Sequence, residues 1–187
     1  AVTRAVLSNP SLTFLVLGLV AAGVAIARRP APRVAAFVYD ALLRWYLFFS
    51  IGAGMLYNFV VHVFFGASTA RFIGWADSPF QTEVGLASLG FSAVGFYAHR
   101  RGFDARLAAV LGPACFLAGA GVGHVRQIAL TGNLAAGNAG VVLYTDFLLP
   151  LLGFALLWRG RGASGCPRPS PNPEPERRAP ASPRGWP

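Results

Sequence analysis

Five apolar runs dominate this chain, at 11–27, 34–66, 80–98, 107–127 and 140–158. A bilayer hydrocarbon core about 30 Å thick is crossed by roughly 20 helical residues, with 17 at the short end. Within that core every backbone amide must be satisfied inside its own segment, so such runs are read as α-helices. The second run is longer than a crossing needs. Its first turns hold Asp40 and Arg44, an i,i+4 pair, so it is read as an interfacial start that enters the membrane near Trp45. The fold class that follows is all-α, an integral membrane helical bundle of about five transmembrane helices.

Composition closes off the alternative of a soluble domain. Of 187 residues, 55% are hydrophobic and 12% are charged, about half the charged share of an ordinary soluble domain. The net charge is +9 and every basic residue is arginine. These arginines sit in short clusters between apolar runs, a placement that sets membrane topology and gives no groove for nucleic acid. With the N-terminus outside, Arg28, Arg29, Arg33, Arg100, Arg101, Arg106, Arg159 and Arg161 lie at inner ends, and only Arg4, Arg71 and Arg126 at outer ones. The expected orientation is N-terminus out and C-terminus cytoplasmic, in the inner (plasma) membrane. Arg4, the first run and Ala25-Ile26-Ala27 also fit a signal peptide with its cleavage site. Cleavage would reverse every later loop against the arginine bias, so this segment is read as a retained helix. Trp45, Trp75 and Trp158 fall near the expected interfaces.

Two domains are expected: a transmembrane unit over 1–162 and a disordered cytoplasmic tail over 163–187, which holds eight of the fourteen prolines and too little apolar sequence to bury a core. Cys115 reads as buried filler and Cys166 as a free thiol in the tail. Gly119-x-x-x-Gly123, with Gly85, Gly90 and Gly95, supplies small residues for close helix packing. Pro113 and Pro150 release the carbonyls of Ala109 and Asp146.

Ionisable groups inside spans are costly and commonly mark function. Four occur: His62, Glu83, His124 and Asp146. Counting turns from the helix ends places all four in the outer half of the bilayer, so they are expected to converge in an outward-facing polar pocket. Asn58 lies one turn below His62 on the same face. Gln81, Gln127, Tyr57, Arg126 and Tyr144 can join the region, and Asn133 and Asn138 lie in a Gly-rich connection able to fold over it.

The stretch Gly74-Trp75-Ala76-Asp77-Ser78-Pro79-Phe80-Gln81-Thr82-Glu83-Val84-Gly85 resembles the W-x-x-S-P-F-Q-x-E-x-G signature of an uncharacterised family of small bacterial multi-pass membrane proteins. Gly123-His124-x-x-Gln127 and Gly137-Asn138-x-Gly140, followed by Asp146 and Pro150, are similar to it as well. The likeness covers roughly 45–158 and implies topology but no mechanism. The same stretch has a local reading. Ser78 serves as N-cap, Pro79 opens the helix, Gln81 takes the capping-box position, and Glu83 meets the helix dipole.

The functional expectations are therefore several. His62, Glu83, His124 and Asp146 are candidate ligands for a divalent metal, although no two form a compact motif. Glu83 or His124 is a candidate catalytic base on a lipid-like substrate. Asn58, His62, Gln81, Gln127, Tyr144 and Asp146 are candidate ligand-binding groups. Transport is disfavoured, because no polar groups line the inner halves and no inverted repeat is visible. The leading expectation is a pocket for a small or lipid-like ligand. The alternative is a non-enzymatic scaffold or accessory subunit whose polar residues are structural.

Overall fold

The computed structural model describes residues 9–32 and 34–163; the expected tail beyond 163 and Cys166 lie outside them. Among the described residues the chain is all-helical. The elements are α1 (Pro10–Ala27), α2 (Ala35–Tyr46), a π-helical segment (Leu47–Ala53), α3 (Gly54–Phe64), α4 (Gly66–Ile73), α5 (Phe80–Ala98), α6 (Phe103–Thr131), the short α7 (Ala136–Ala139) and α8 (Val141–Ala163). From α2 through α3 the helix is continuous, 30 residues from Ala35 to Phe64. It is the spine of the bundle. α1 and α8 pack on its first half, α5 on its second, and α6 closes the ring between α5 and α8.

Four helical stretches are long and apolar enough to cross a membrane: Pro10–Ala27, Ala35–Phe64, Phe103–Thr131 and Ala136–Arg161. Many of their apolar side chains point outward. Val20 is 59% exposed, Leu130 67% and Leu151 69%, the reverse of a soluble helix, which buries its apolar stripe. The fifth expected span, Phe80–Ala98, is helical over 19 residues but falls outside this set. Gln81, Glu83, Ser88 and Ser92 lower its hydropathy.

The π segment is where α5 comes closest to the spine. Ser92 Oγ donates to the Gly52 carbonyl at 2.7 Å. A Cβ on Gly95 would stand only 2.7 Å from the Gly52 amide nitrogen. The widened turn thus offers a backbone acceptor to a buried hydroxyl, as π-bulges can. Tyr46, also buried, donates its hydroxyl to the Leu149 carbonyl of α8 at 2.9 Å.

Three local expectations change. Asp40 does not pair with Arg44. It accepts from Arg106 Nη1 of α6 at 2.7 Å, because the helix-to-helix approach offers a better partner than the next turn. Gly119 has nothing within 4 Å of a would-be Cβ, while Gly121 meets Phe147 and Asp146, so the close α6–α8 approach lies between the glycines of the G-x-x-x-G pattern. Cys115 is exposed on the outside of α6 rather than buried.

Candidate functional site

Two histidine-centred networks lie at the end of the bundle where α3 and α6 finish and α5 and α8 begin. The first is closed. α4 ends at Gly74, which takes the left-handed conformation at φ +77°, and a Cβ there would strike the Asn133 side chain. This lets the chain turn and lay Trp75 over His124, with ring centroids 5.4 Å apart. Asn138 of α7, fully buried, is the hub. Its Oδ1 accepts from Trp75 Nε1 at 3.0 Å and from His124 Nδ1 at 2.8 Å. Its Nδ2 donates to the Asn133 carbonyl at 2.9 Å and the His124 carbonyl at 3.3 Å. With the amide oriented in this way, His124 carries its proton on Nδ1. Nε2 then faces Asp146 Oδ2 of α8 at 3.6 Å, beyond direct hydrogen-bond length. Gly121 makes this juxtaposition possible, since a Cβ there would sit 3.3 Å from that of Asp146.

The second network is open. Gly85 admits α3 against α5, where a Cβ would lie 3.3 Å from the His62 Cβ. His62 Nδ1 meets Gln81 Oε1 at 2.5 Å. One turn deeper, Asn58 Nδ2 donates to Ser88 Oγ at 2.9 Å, and Ser88 Oγ donates to the Val84 carbonyl at 2.8 Å. Together they form a polar ladder between the two helices. Its upper rung borders a groove of about 510 Å³ lined by His62, Gly66, Asp77, Ser78, Gln81 and Thr82, among others.

The structure thus joins His124 to Asp146, His62 to Gln81, and Asn58 to Ser88. It does not gather His62, Glu83, His124 and Asp146 in one pocket. Among the described residues no group of three or more His, Cys, Asp or Glu side chains is placed to hold a metal ion. Glu83 is exposed on the first turn of α5. Tyr144 is 70% exposed, two residues before Asp146 and so on another face of α8. Gln127 turns back on its own helix, accepting from Thr131 Oγ1 at 3.3 Å. Gln81 does not close a capping box, because its amide oxygen is taken by His62, and no side chain caps α5. Sequence reasoning read Trp75 as an interface anchor only. No sequence signal beside Trp75 marks its loop as meeting the connection that holds Asn133 and Asn138; the contact is seen only in the fold. Sequence reasoning also missed Ser88, whose spacing of seven from Gln81 puts it on the same helical face.

The profile of a family of unknown function (DUF6790) matches residues 8–165. The chain belongs to that family. No curated protein and no solved structure matches it. Membership therefore brings no assigned reaction, and the function rests on the geometry above.

Proposed function

We propose that the chain is a multi-pass plasma-membrane protein of five spans, N-terminus out and C-terminus in, that binds a small polar or lipid-like ligand in the His62–Gln81 groove. The single observation that carries this reading is the contrast between the two networks. The His124 network is shut: His124 is 6% exposed, Asp146 3% and Asn138 0%, and Asn138 is saturated by neighbouring groups. It acts as a latch that holds the Trp75 loop to α6 and α8. The His62 network opens onto space, with an imidazole, a carboxylate, hydroxyls and an amide on its walls. Those donors suit hydrogen bonding to a polar organic group. One imidazole and one carboxylate are fewer than the three or four protein ligands of a typical zinc site.

The reading includes α5 as the fifth span. Its small and polar residues Gly85, Ser88, Ser92 and Gly95 are buried, while Leu86, Leu89 and Val94 face outward. Low mean hydropathy then reflects an inward face matched to the spine. The experiment is mass spectrometry of small molecules and metals co-purifying with the full chain in mild detergent. A near-stoichiometric compound in the wild type that disappears in both His62→Ala and Gln81→Ala is the expected result. Equal content in all three proteins, or loss only in His124→Ala, would move the site or leave the scaffold reading.

A further inference from the structure

At the other end of the bundle the chain builds a second concavity, of about 560 Å³, between the start of α2, the start of α6 and the last turns of α8. Arg101, Arg106 and Arg161 border it together with Asp40 and Asp104. Arg106 is committed inside the protein. Its Nη1 donates to Asp40 Oδ1 at 2.7 Å and its Nη2 to the His99 carbonyl at 3.4 Å. Arg101 and Arg161 are exposed, and neither forms an ion pair among the described residues. Each is held by an aromatic ring instead: Arg101 lies 4.6 Å from the Tyr97 centroid and Arg161 4.5 Å from that of Phe103. Stacking limits the guanidinium's motion while its N–H edge remains able to reach an oxyanion.

We propose that this concavity binds the phosphate of an anionic phospholipid, with Arg101 and Arg161 as the donors. Once Arg106 and Asp40 have neutralised each other, two guanidiniums face one carboxylate, Asp104, so the remaining charge is positive. The surroundings select a lipid over a soluble phosphate. Leu43 and Leu157 form an apolar floor. Trp158, 77% exposed, and Tyr97, 59% exposed, stand at the same level, as aromatic residues do beside headgroups. From that level Leu151 and Phe154 continue along the outer face of α8 and give acyl chains an apolar path. Basic pockets between helices at a membrane surface take such headgroups. The inference needs the helices to cross a bilayer, and it is independent of any ligand at His62.

The test is thermal unfolding of the full chain in mild detergent with added short-chain phosphatidylglycerol, phosphatidylcholine of the same chain length, or inorganic phosphate. Phosphatidylglycerol is expected to raise the midpoint by several degrees and the other two to leave it unchanged. Arg101→Gln/Arg161→Gln is expected to lose at least half of that shift. The charge-matched pair Arg71→Gln/Arg126→Gln, at the opposite end, is expected to keep it. Equal loss in both pairs, an equal response to phosphatidylcholine, or a full response to inorganic phosphate alone would overturn the proposal. Should the first pair fail to fold, native mass spectrometry of the wild type decides: preferential retention of phosphatidylglycerol over phosphatidylcholine supports the site, and no preference removes it. A chain that stays folded and monodisperse without detergent would instead defeat the membrane reading itself.

Discussion

Gly90 and Gly95 lie five residues apart on one helix, and the structure gives the same substitution opposite signs at the two positions. An added Cβ at Gly95 would stand 2.7 Å from the Gly52 nitrogen and 2.9 Å from Ile51 Cγ2, well inside the 3.4 Å at which ordinary contact begins. The struck atom is backbone of the spine helix and cannot rotate away. Relief means separating α5 from the π segment, which also lengthens the Ser92–Gly52 hydrogen bond. Overpacking of this kind costs about 1–3 kcal/mol, against a helix-propensity gain of up to about 1 kcal/mol for Gly to Ala. Gly95→Ala should therefore lose up to about 2 kcal/mol. At Gly90 a Cβ meets nothing within 4 Å, so Gly90→Ala should be neutral or gain up to about 1 kcal/mol. Gly85→Ala should also destabilise, because its Cβ would stand 2.5 Å from Cγ2 of Val63, a side chain stiff at χ1, and 3.3 Å from the His62 Cβ and the Phe59 carbonyl. The assay is reversible unfolding in mixed micelles of increasing SDS fraction, followed by tryptophan fluorescence. Equal stability of Gly90→Ala and Gly95→Ala would refute the assigned α5 face.

Asn138→Ala is expected to cost about 1–3 kcal/mol, because the buried His124 Nδ1 and the part-buried Trp75 Nε1 lose their acceptor; a loss below about 0.5 kcal/mol in the same micelle assay would show that the latch carries little stability. A double-mutant cycle on Asp40 and Arg106 should show coupling of about 0.2–1 kcal/mol, discounted because Asp40 is 44% exposed, while a cycle on Asp40 and Arg44 should show none; coupling in the second and not the first would restore the i,i+4 pair. A reporter enzyme fused after Ala163 should be active only in the cytoplasm, and periplasmic activity would invert the proposed orientation.

The helices were legible because a bilayer writes its thickness into sequence: long apolar runs closed by arginine need no tertiary information to be seen. The polar partners were not legible, because partner choice depends on helix rotation. Asp40 has Arg44 one turn away and takes Arg106, sixty-six residues on. Gln81 occupies a capping position and reaches across to His62. Depth along the chain brought His62, His124 and Asp146 to one end of the bundle, but depth carries no azimuth. Azimuth decides that His124 meets Asp146 while Glu83 and Tyr144 face outward. A partial cue existed in α5, where Gly85, Ser88, Ser92 and Gly95 recur at spacings of three and four, the interval that repeats one helix face. That stripe identifies the packed face without a structure. It cannot name the helix that fills it.

The spacing between the two ends ties the sites to the bilayer. From Asp40 at the basic concavity to His62 at the groove is 22 residues of continuous helix, about 33 Å at a helical rise and somewhat less through the π turn. From Arg106 to His124 is 18 residues, about 27 Å. Both lengths bracket a hydrocarbon core of about 30 Å. A charged or ionisable group far inside that core costs about 2.5–3.5 kcal/mol on insertion scales, so these groups are most economically held at its two surfaces. The interior between them keeps short-range polar contacts that need no water: Ser92 to Gly52, Tyr46 to Leu149, Ser88 to Val84. None of these three forms a continuous polar line from one end to the other. On the membrane reading, the two concavities are therefore separate interfacial sites. On the proposed orientation, a ligand at His62 would arrive from the outer face or the outer leaflet, and a headgroup at Arg101 and Arg161 from the inner leaflet.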